Sequence, residues 1–467
     1  MHVRLTVLLL LGVVGGCSLT PPPKVPSLVT RIETQPWFDT VGGGEAAAPE
    51  PADWWREVGG DELEGLVLAL LEDSLALREA RLQLEQAEER ALQAGAPRKP
   101  SVGYAVDRQR LRSPDPTGRY SWSESYSAGI TLNHELDVFG ALRSGARAAA
   151  LNAEAAALSY AATEQLEIAR LSRQWVAAVT LQERLALANA TAGSFRSTLE
   201  LTEQRYRLGS QGVSASDVLI ARQNLESALV DIPDLEGQLR SQLLLIDEQL
   251  GRLPGTTARE FTGAAGATPA ATTAVGHPAR LLEQRPDVAA AALRYRAALE
   301  DVGAARANLY PALSLTGSLT FQGAQPDDFA WDDYLASLAQ AITGPIFQGG
   351  RLRSQVRLER AEAEELAAGF ARVALAAVTD VEVALTERDA RQTQQRLAQA
   401  AVQTAEQSNR VVSTRYRQGL SSLLAVLETQ RGLNSARLNL ILTEQALRNA
   451  SIDLYLSLGG DWFAGAR

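Results

Sequence analysis

The stretch RYRLGSQGVSASDVL at 205–219 returns as RYRQGLSSLLAVL at 415–427. A few shared residues prove little, so the flanks decide. After the first copy, Leu225, Ser227 and Ala228 correspond to Leu433, Ser435 and Ala436 after the second. Upstream, ALRSGARAAA at 141–150 corresponds to RLRSQVRLER at 351–360, and Pro100 with SVGYAV to Pro311 with ALSLTG. A whole structural unit is duplicated, and the copies are read as interdependent halves of one fold.

The 467 residues are 46% hydrophobic but only 6% aromatic, with much alanine, which is the composition of long packed helices. Acidic residues number 55 against 45 basic, a net charge of −10 that argues against nucleic acid as a partner. His2, His134 and His277 stand far apart without metal-ligand spacing, so no metal site is expected. The one cysteine excludes an internal disulfide. No constellation of catalytic groups stands out, so neither an enzyme nor a cofactor is expected.

The chain opens MHVRLTVLLLLGVVGGCSLTPPPKVP, with Arg4 before an apolar run too short to span a membrane comfortably. The run ends at Val14-Gly15-Gly16-Cys17, which resembles the lipobox of bacterial lipoproteins. Residues 1–17 then read as a signal peptide with its lipidation cysteine, and a covalent lipid on Cys17 is the one non-protein group expected. Ser18, where Asp would stand otherwise, resembles the pattern of lipoproteins sent to the outer membrane. Residues 18–58, rich in Pro, Gly and Ala, read as an extended tether.

Repeat 1 covers 59–250 and repeat 2 covers 284–460, with a linker at 251–283 and a tail at 461–467. In each, a short helix precedes a β-hairpin, and a long and a short helix follow. From Asp61, Leu63, Leu66, Val67 and Leu70 fall on one helical face. The period then changes to two. In the hairpin at 101–136, Trp122, Tyr126, Ala128, Ile130 and Leu132 alternate with Ser, Gly and Thr. In the hairpin at 311–344, Leu313, Leu315, Leu319 and Phe321 alternate with Ser314, Thr316, Ser318 and Thr320, and Tyr334, Ala336, Leu338 and Ile342 share one face. Apolar residues on one side and small polar residues on the other mark a transmembrane β-strand. A half-buried strand of a soluble sandwich gives the same alternation. Four strands cannot close a barrel, and open edges in lipid leave backbone groups unpaired, so membrane-spanning strands here demand a shared barrel. The helical runs 141–208 and 350–418 contain no proline, each a rod of roughly 100 Å. A coiled-coil spacer explains those rods but not the hairpins.

The sequence resembles the TolC-like outer-membrane efflux factors, in particular the acylated NodT-type lipoproteins. The resemblance rests on Trp54-Trp55 followed by Leu63 and Leu66, ELDVFGALR at 135–143, RPDV at 285–288, AARANLYPALSL at 304–315, GPIFQGGRLR at 344–353 and the two RYR-x-G turns. It departs in having Asp73-Ser74 where members often carry Asn, and VAAAAL after RPD where an acidic residue is usual. The resemblance implies a homotrimer whose twelve strands form an outer-membrane pore, continued by a twelve-helix periplasmic tunnel. The fold expected is therefore mainly α with a pair of transmembrane β-hairpins. The implied partners are a periplasmic adaptor, an inner-membrane pump of the RND type and outer-membrane lipid. The implied function is an exit duct for small molecules such as drugs or metal ions. A duct for type I protein secretion and a pore-free periplasmic scaffold remain as alternatives.

Cationic side chains followed by Gly mark Gly209 and Gly419 as helix C-caps. The resemblance places these turns at the periplasmic tip, where relatives close the tunnel and dock the adaptor. Leu424 and Glu428 match an apolar and an acidic ring of relatives and, being i and i+4, face the same way. Asp217 matches an acidic tip residue, while Ala425 stands where some members carry a second one. Arg205, Tyr206, Arg415 and Tyr416 are candidates for bracing neighbouring helix pairs, or for plain packing at a helix end.

Overall fold

The structure is a computed structural model, and it describes residues 19–34, 54–114, 116–210, 212–263, 284–325, 328 and 333–459. Cys17 lies outside the described residues. In chain order come α1 (Ser27–Thr34), α2 (Trp54–Asp73), α3 (Leu75–Gly95), β1 (Ser101–Pro114), β2 (Tyr120–Leu136), α4 (Ala141–Arg207) and α5 (Ala215–Gln249). Then follow the single turn α6 (Thr257–Glu260), α7 (Pro286–Ala307), β3 (Ala312–Gly323), β4 (Leu335–Thr343), α8 (Arg351–Arg417) and α9 (Leu423–Ser457). The repeats agree to the residue: α4 and α8 each have 67 residues, and α5 and α9 each have 35.

The tether expected at 18–58 is not extended throughout. Pro21, Pro22, Pro23 and Pro26 hold residues 19–26 out of helix, but α1 follows at once. The amides of Val29 and Thr30 both bond back to the Pro26 carbonyl, and α1 buries Val29 and Ile32, three residues apart. The first short helix also starts earlier than its periodicity indicates, at Trp54, and breaks at Gly60, whose φ of 60° and ψ of −151° leave the helical region.

Two compact units divide the chain. One comprises residues up to Thr30 with Leu82–Leu158 and Ala289–Val373; the other comprises Arg31–Arg81, Ser159–Val288 and Ala374–Arg467. The first unit carries one antiparallel sheet in the order β1-β2-β3-β4, leaving β1 and β4 as its edges. Below it, Tyr295, Ala298, Leu299 and Val302 of α7 pack on Ala363 of α8.

The second unit holds the main core. Leu63, Val67 and Leu70 of α2 meet Leu171, Trp175, Val176 and Val179 of α4, Ile246 and Leu250 of α5 and Ile452 of α9. Gly59 lets α2 approach closely, since a Cβ there would lie 2.9 Å from the Trp175 ring and 2.4 Å from the Leu63 Cβ. Trp54 stacks on Tyr455 at 5.5 Å, and the Tyr455 hydroxyl donates to Glu57 Oε2 at 2.7 Å. The RPDV stretch also acquires a task. Arg285 holds Asp287 at 2.8 Å, Asp380 at 3.1 Å and the Ser457 carbonyl at 3.2 Å, so it joins α7 to α8 and α9.

Candidate functional site

The strand register decides which side chains share a face. Val102, Leu132, Gly317 and Leu338 form one row across the sheet, and Tyr104, Ile130, Leu319 and Ala336 form another. Side chains alternate along each strand, so these rows share one face and the small polar residues the other. On the polar face, the Ser318 and Ser337 hydroxyls lie 2.7 Å apart, and Thr316 donates to Asn133 Oδ1 at 3.2 Å. The apolar face is bare: Tyr104 is 86% exposed, Val106 73% and Ile342 75%. A sandwich strand would bury that face against a second sheet, and none covers it among the described residues. Aromatic pairs bracket the apolar rows. Phe139 stacks on Tyr310 at 4.7 Å where the sheet joins the helices, and Phe321 meets Tyr334 at 6.4 Å toward the hairpin turns. No described helix is long and apolar enough to cross a membrane.

The tip turns of the second unit share one cap. Gly209 and Gly419 have φ of 64° and 78°, where a side chain would strain the backbone. The amide of Gly209 bonds to the Tyr206 carbonyl and that of Ser210 to the Arg205 carbonyl; Gly419 to Tyr416 and Leu420 to Arg415 repeat both bonds. Each following helix begins at a serine. Ser214 accepts from the Asp217 amide, and Ser422 from the Ala425 amide. Asp217 closes a reciprocal capping box, accepting from the Ser214 amide at 2.8 Å and its hydroxyl at 2.7 Å. Asp217 therefore has a local structural task, apart from the acidic tip residue that the resemblance matches it to. Ala425, at the equivalent position, leaves the second box half made.

The two Arg-Tyr pairs are not equivalent either. Tyr416 is buried with Phe195, Ala221, Leu423, Val426 and Leu427, whereas Tyr206 and Arg415 are exposed. Arg205 lies over the Tyr416 ring, and Thr202 Oγ1 sits 3.0 Å from the Tyr416 hydroxyl. So Arg205 and Tyr416 brace two helix ends within the chain, and Tyr206 and Arg415 are left exposed. Leu424 and Glu428 are both exposed on α9, on the side away from buried Leu423, Val426 and Leu427.

The first unit adds a contact that sequence reading missed. Residues 19–24 run antiparallel to α7. Arg306 donates to the Leu19 carbonyl at 3.0 Å, Thr20 donates to Glu300 at 2.8 Å, and the Lys24 amide donates to the Tyr295 hydroxyl at 3.2 Å. Gly303 makes room, since a Cβ there would lie 2.5 Å from the Thr20 hydroxyl oxygen. A glycine inside a helix, in EDVGAAR, is the one sequence signal for it. Beside Glu300, the Asp301 carboxyl is pushed up to about 6, first by burial and then by the charges of Glu359, Glu362 and Glu300.

The model of the outer membrane efflux protein family matches residues 66–252 and 278–460, one block over each repeat. The chain belongs to the outer membrane efflux protein family. As a member it is a transport channel of the outer membrane, not an enzyme. It is 29% identical over 458 residues to the pyoverdine export outer membrane protein OpmQ of Pseudomonas aeruginosa, covering 96% of this chain and 94% of that one. It is 28% identical to nodulation protein T of Rhizobium leguminosarum, with 99% and 94% covered. Among solved structures, the outer-membrane channel OprN superposes with a TM-score of 0.85 at 25% identity, covering 96% of this chain and all of that one.

Proposed function

We propose that three copies of this efflux protein close one twelve-stranded barrel in the outer membrane, continued by their helices as a periplasmic tunnel. The observation that carries this is the four-stranded sheet with a bare apolar face and two open edges. In lipid, each unpaired backbone group on those edges costs several kcal/mol, so sheets of several copies must join edge to edge, and three copies is the number the family resemblance implies. The polar face of Ser, Thr and Gly then lines a wet bore.

The duct itself does no work. Export through it needs an energised inner-membrane pump and a periplasmic adaptor, which would meet the exposed surface of the tip turns around Tyr206 and Arg415. Exposed Leu424 and Glu428 form an apolar and an acidic ring at the tunnel end when repeated threefold, and like charges there favour cations. Cys17 carries the lipid anchor. The strap of residues 19–24 supports this, because it runs up α7 toward the sheet and puts Leu19 on Arg306, close to the start of β3 at Ala312.

The test is reconstitution of the purified full chain in planar bilayers with a native mass measurement. A trimer with stepwise conductance is expected. A monomer without conductance would favour the pore-free scaffold.

A further inference from the structure

The hairpin β1–β2 extends beyond its apolar rows, and there the same face turns basic. Arg108, Arg110 and Arg112 continue the column of Val102, Tyr104 and Val106, opposite Tyr126, Glu124 and Trp122. Their guanidinium groups lie over aromatic rings. Arg108 is 5.6 Å from the Tyr126 centroid, Arg110 is 4.6 Å from Trp122, and Arg112 is 5.1 Å from Tyr120. Glu124 stands within the column, 3.2 Å from Arg108 and 3.3 Å from Arg110. One carboxylate among three guanidinium groups leaves the column positive.

We propose that this column binds the phosphate groups of phosphorylated glycolipid in the outer leaflet. The inference rests on the outer-membrane reading above. All four strands join helices at their other ends, so a periplasmic helix bundle puts the hairpin turns, and this column, at the cell surface. The apolar rows need about 25 Å of hydrocarbon, and β2 from Leu136 to Tyr126 supplies that at the usual strand rise and tilt. The arginines therefore start where hydrocarbon ends. Three cations on the lipid side would be costly inside the hydrocarbon but fit the head-group layer. A guanidinium group beside a ring keeps N–H groups beyond those that Glu124 takes, and these pair with phosphate through parallel N–H bonds. The acyl chains of the same lipid would lie on Tyr104 and Val106 below. No carboxylate-rich protein segment needs that apolar floor, which is why lipid is favoured over a neighbouring copy.

The experiment titrates the delipidated full-length trimer with bisphosphorylated lipid A, with the same glycolipid stripped of phosphate, and with cardiolipin, reading bound lipid by native mass spectrometry. The wild type should prefer the bisphosphorylated glycolipid to the stripped form by about tenfold, the worth of one charge-assisted bidentate contact. Arg108→Gln, Arg110→Gln and Arg112→Gln together should abolish that preference while leaving the trimer and its conductance intact. Glu124→Gln, which frees the guanidinium groups from their internal partner, should strengthen binding several-fold, and it keeps the test decisive if the triple variant does not assemble. Equal binding of the two glycolipid forms, no gain in Glu124→Gln, or equal binding of cardiolipin each overturns the proposal. Loss of the trimer in the triple variant, with no phosphate preference in the wild type, assigns the column to contacts between copies instead. A wild type that neither trimerises nor conducts defeats the channel reading itself, whereas a conducting trimer indifferent to phosphate defeats only this inference.

Discussion

Arg205 sits with its guanidinium carbon 4.8 Å from the centre of the Tyr416 ring and donates from Nη1 to the Tyr416 carbonyl at 3.0 Å. The end of α4 is thereby clamped to the end of α8, although 211 residues separate the two side chains. The bond falls inside the second glycine cap, because the Tyr416 carbonyl also accepts from the Gly419 amide.

Removing that clamp loosens the tip. Arg205→Ala should cost about 2 kcal/mol locally, from one charge-assisted hydrogen bond and one partly buried cation–π contact. Hydrogen exchange at Gly419 and Leu420 reads it, and faster exchange confined to the tip is expected. Tyr206→Ala, at the equivalent but exposed position, should change stability by no more than about 0.5 kcal/mol.

Leu424 and Glu428 lie on the open face of α9, so their removal spares the buried cluster behind them. Glu428→Ala, alone or with Leu424→Ala, should raise the current through the trimer in planar bilayers and reduce its cation preference. Unchanged conductance in both variants removes these residues from the gate.

Gly303→Val should expel the strap, since Thr20 occupies the space that a side chain would need. The expected readout is faster proteolysis between Leu19 and Lys24 with the helix and sheet content intact. Cys17→Ser tests the anchor separately, and it should abolish incorporation of labelled palmitate. Retained label would place the acyl group elsewhere.

Asp301 sets a pH dependence. Its carboxyl titrates near 6 in the folded chain against an ordinary 3.8, so between those values the folded state holds the extra proton. Stability contributed by this group therefore falls as pH rises through that window and is lowest above about 6. Asp301→Asn should melt at a higher temperature than the wild type near neutral pH, with the advantage vanishing below 3.8. An advantage independent of pH would show that something other than the carboxylate charge is responsible.

Much of the architecture is readable from pattern alone. Helical and strand periods differ, and a chain written twice in those periods announces two hairpins and two long helices. The ends of the helices are local as well, because a glycine with positive φ after Arg-Tyr-Arg, or a serine before an apolar run, is decided within a few residues. The strand between 107 and 112 carries no such mark, since DRQRLR lacks apolar alternation. Its pairing with β2 extends the strand there, and aromatic partners on β2 make the arginines acceptable on that face.

Sequence by itself determined the duplication, the element order, the caps at Gly209 and Gly419 and the two-faced strands, because each depends on neighbours along the chain. Only the tertiary structure decided that Tyr416 is buried while Tyr206 is exposed, and that residues 19–24 lie on α7. It also decided that no described residue covers the apolar strand face. Those are contacts between segments far apart in the chain, where near-identical motifs meet different surroundings, and no local pattern records which copy of a motif another segment will reach.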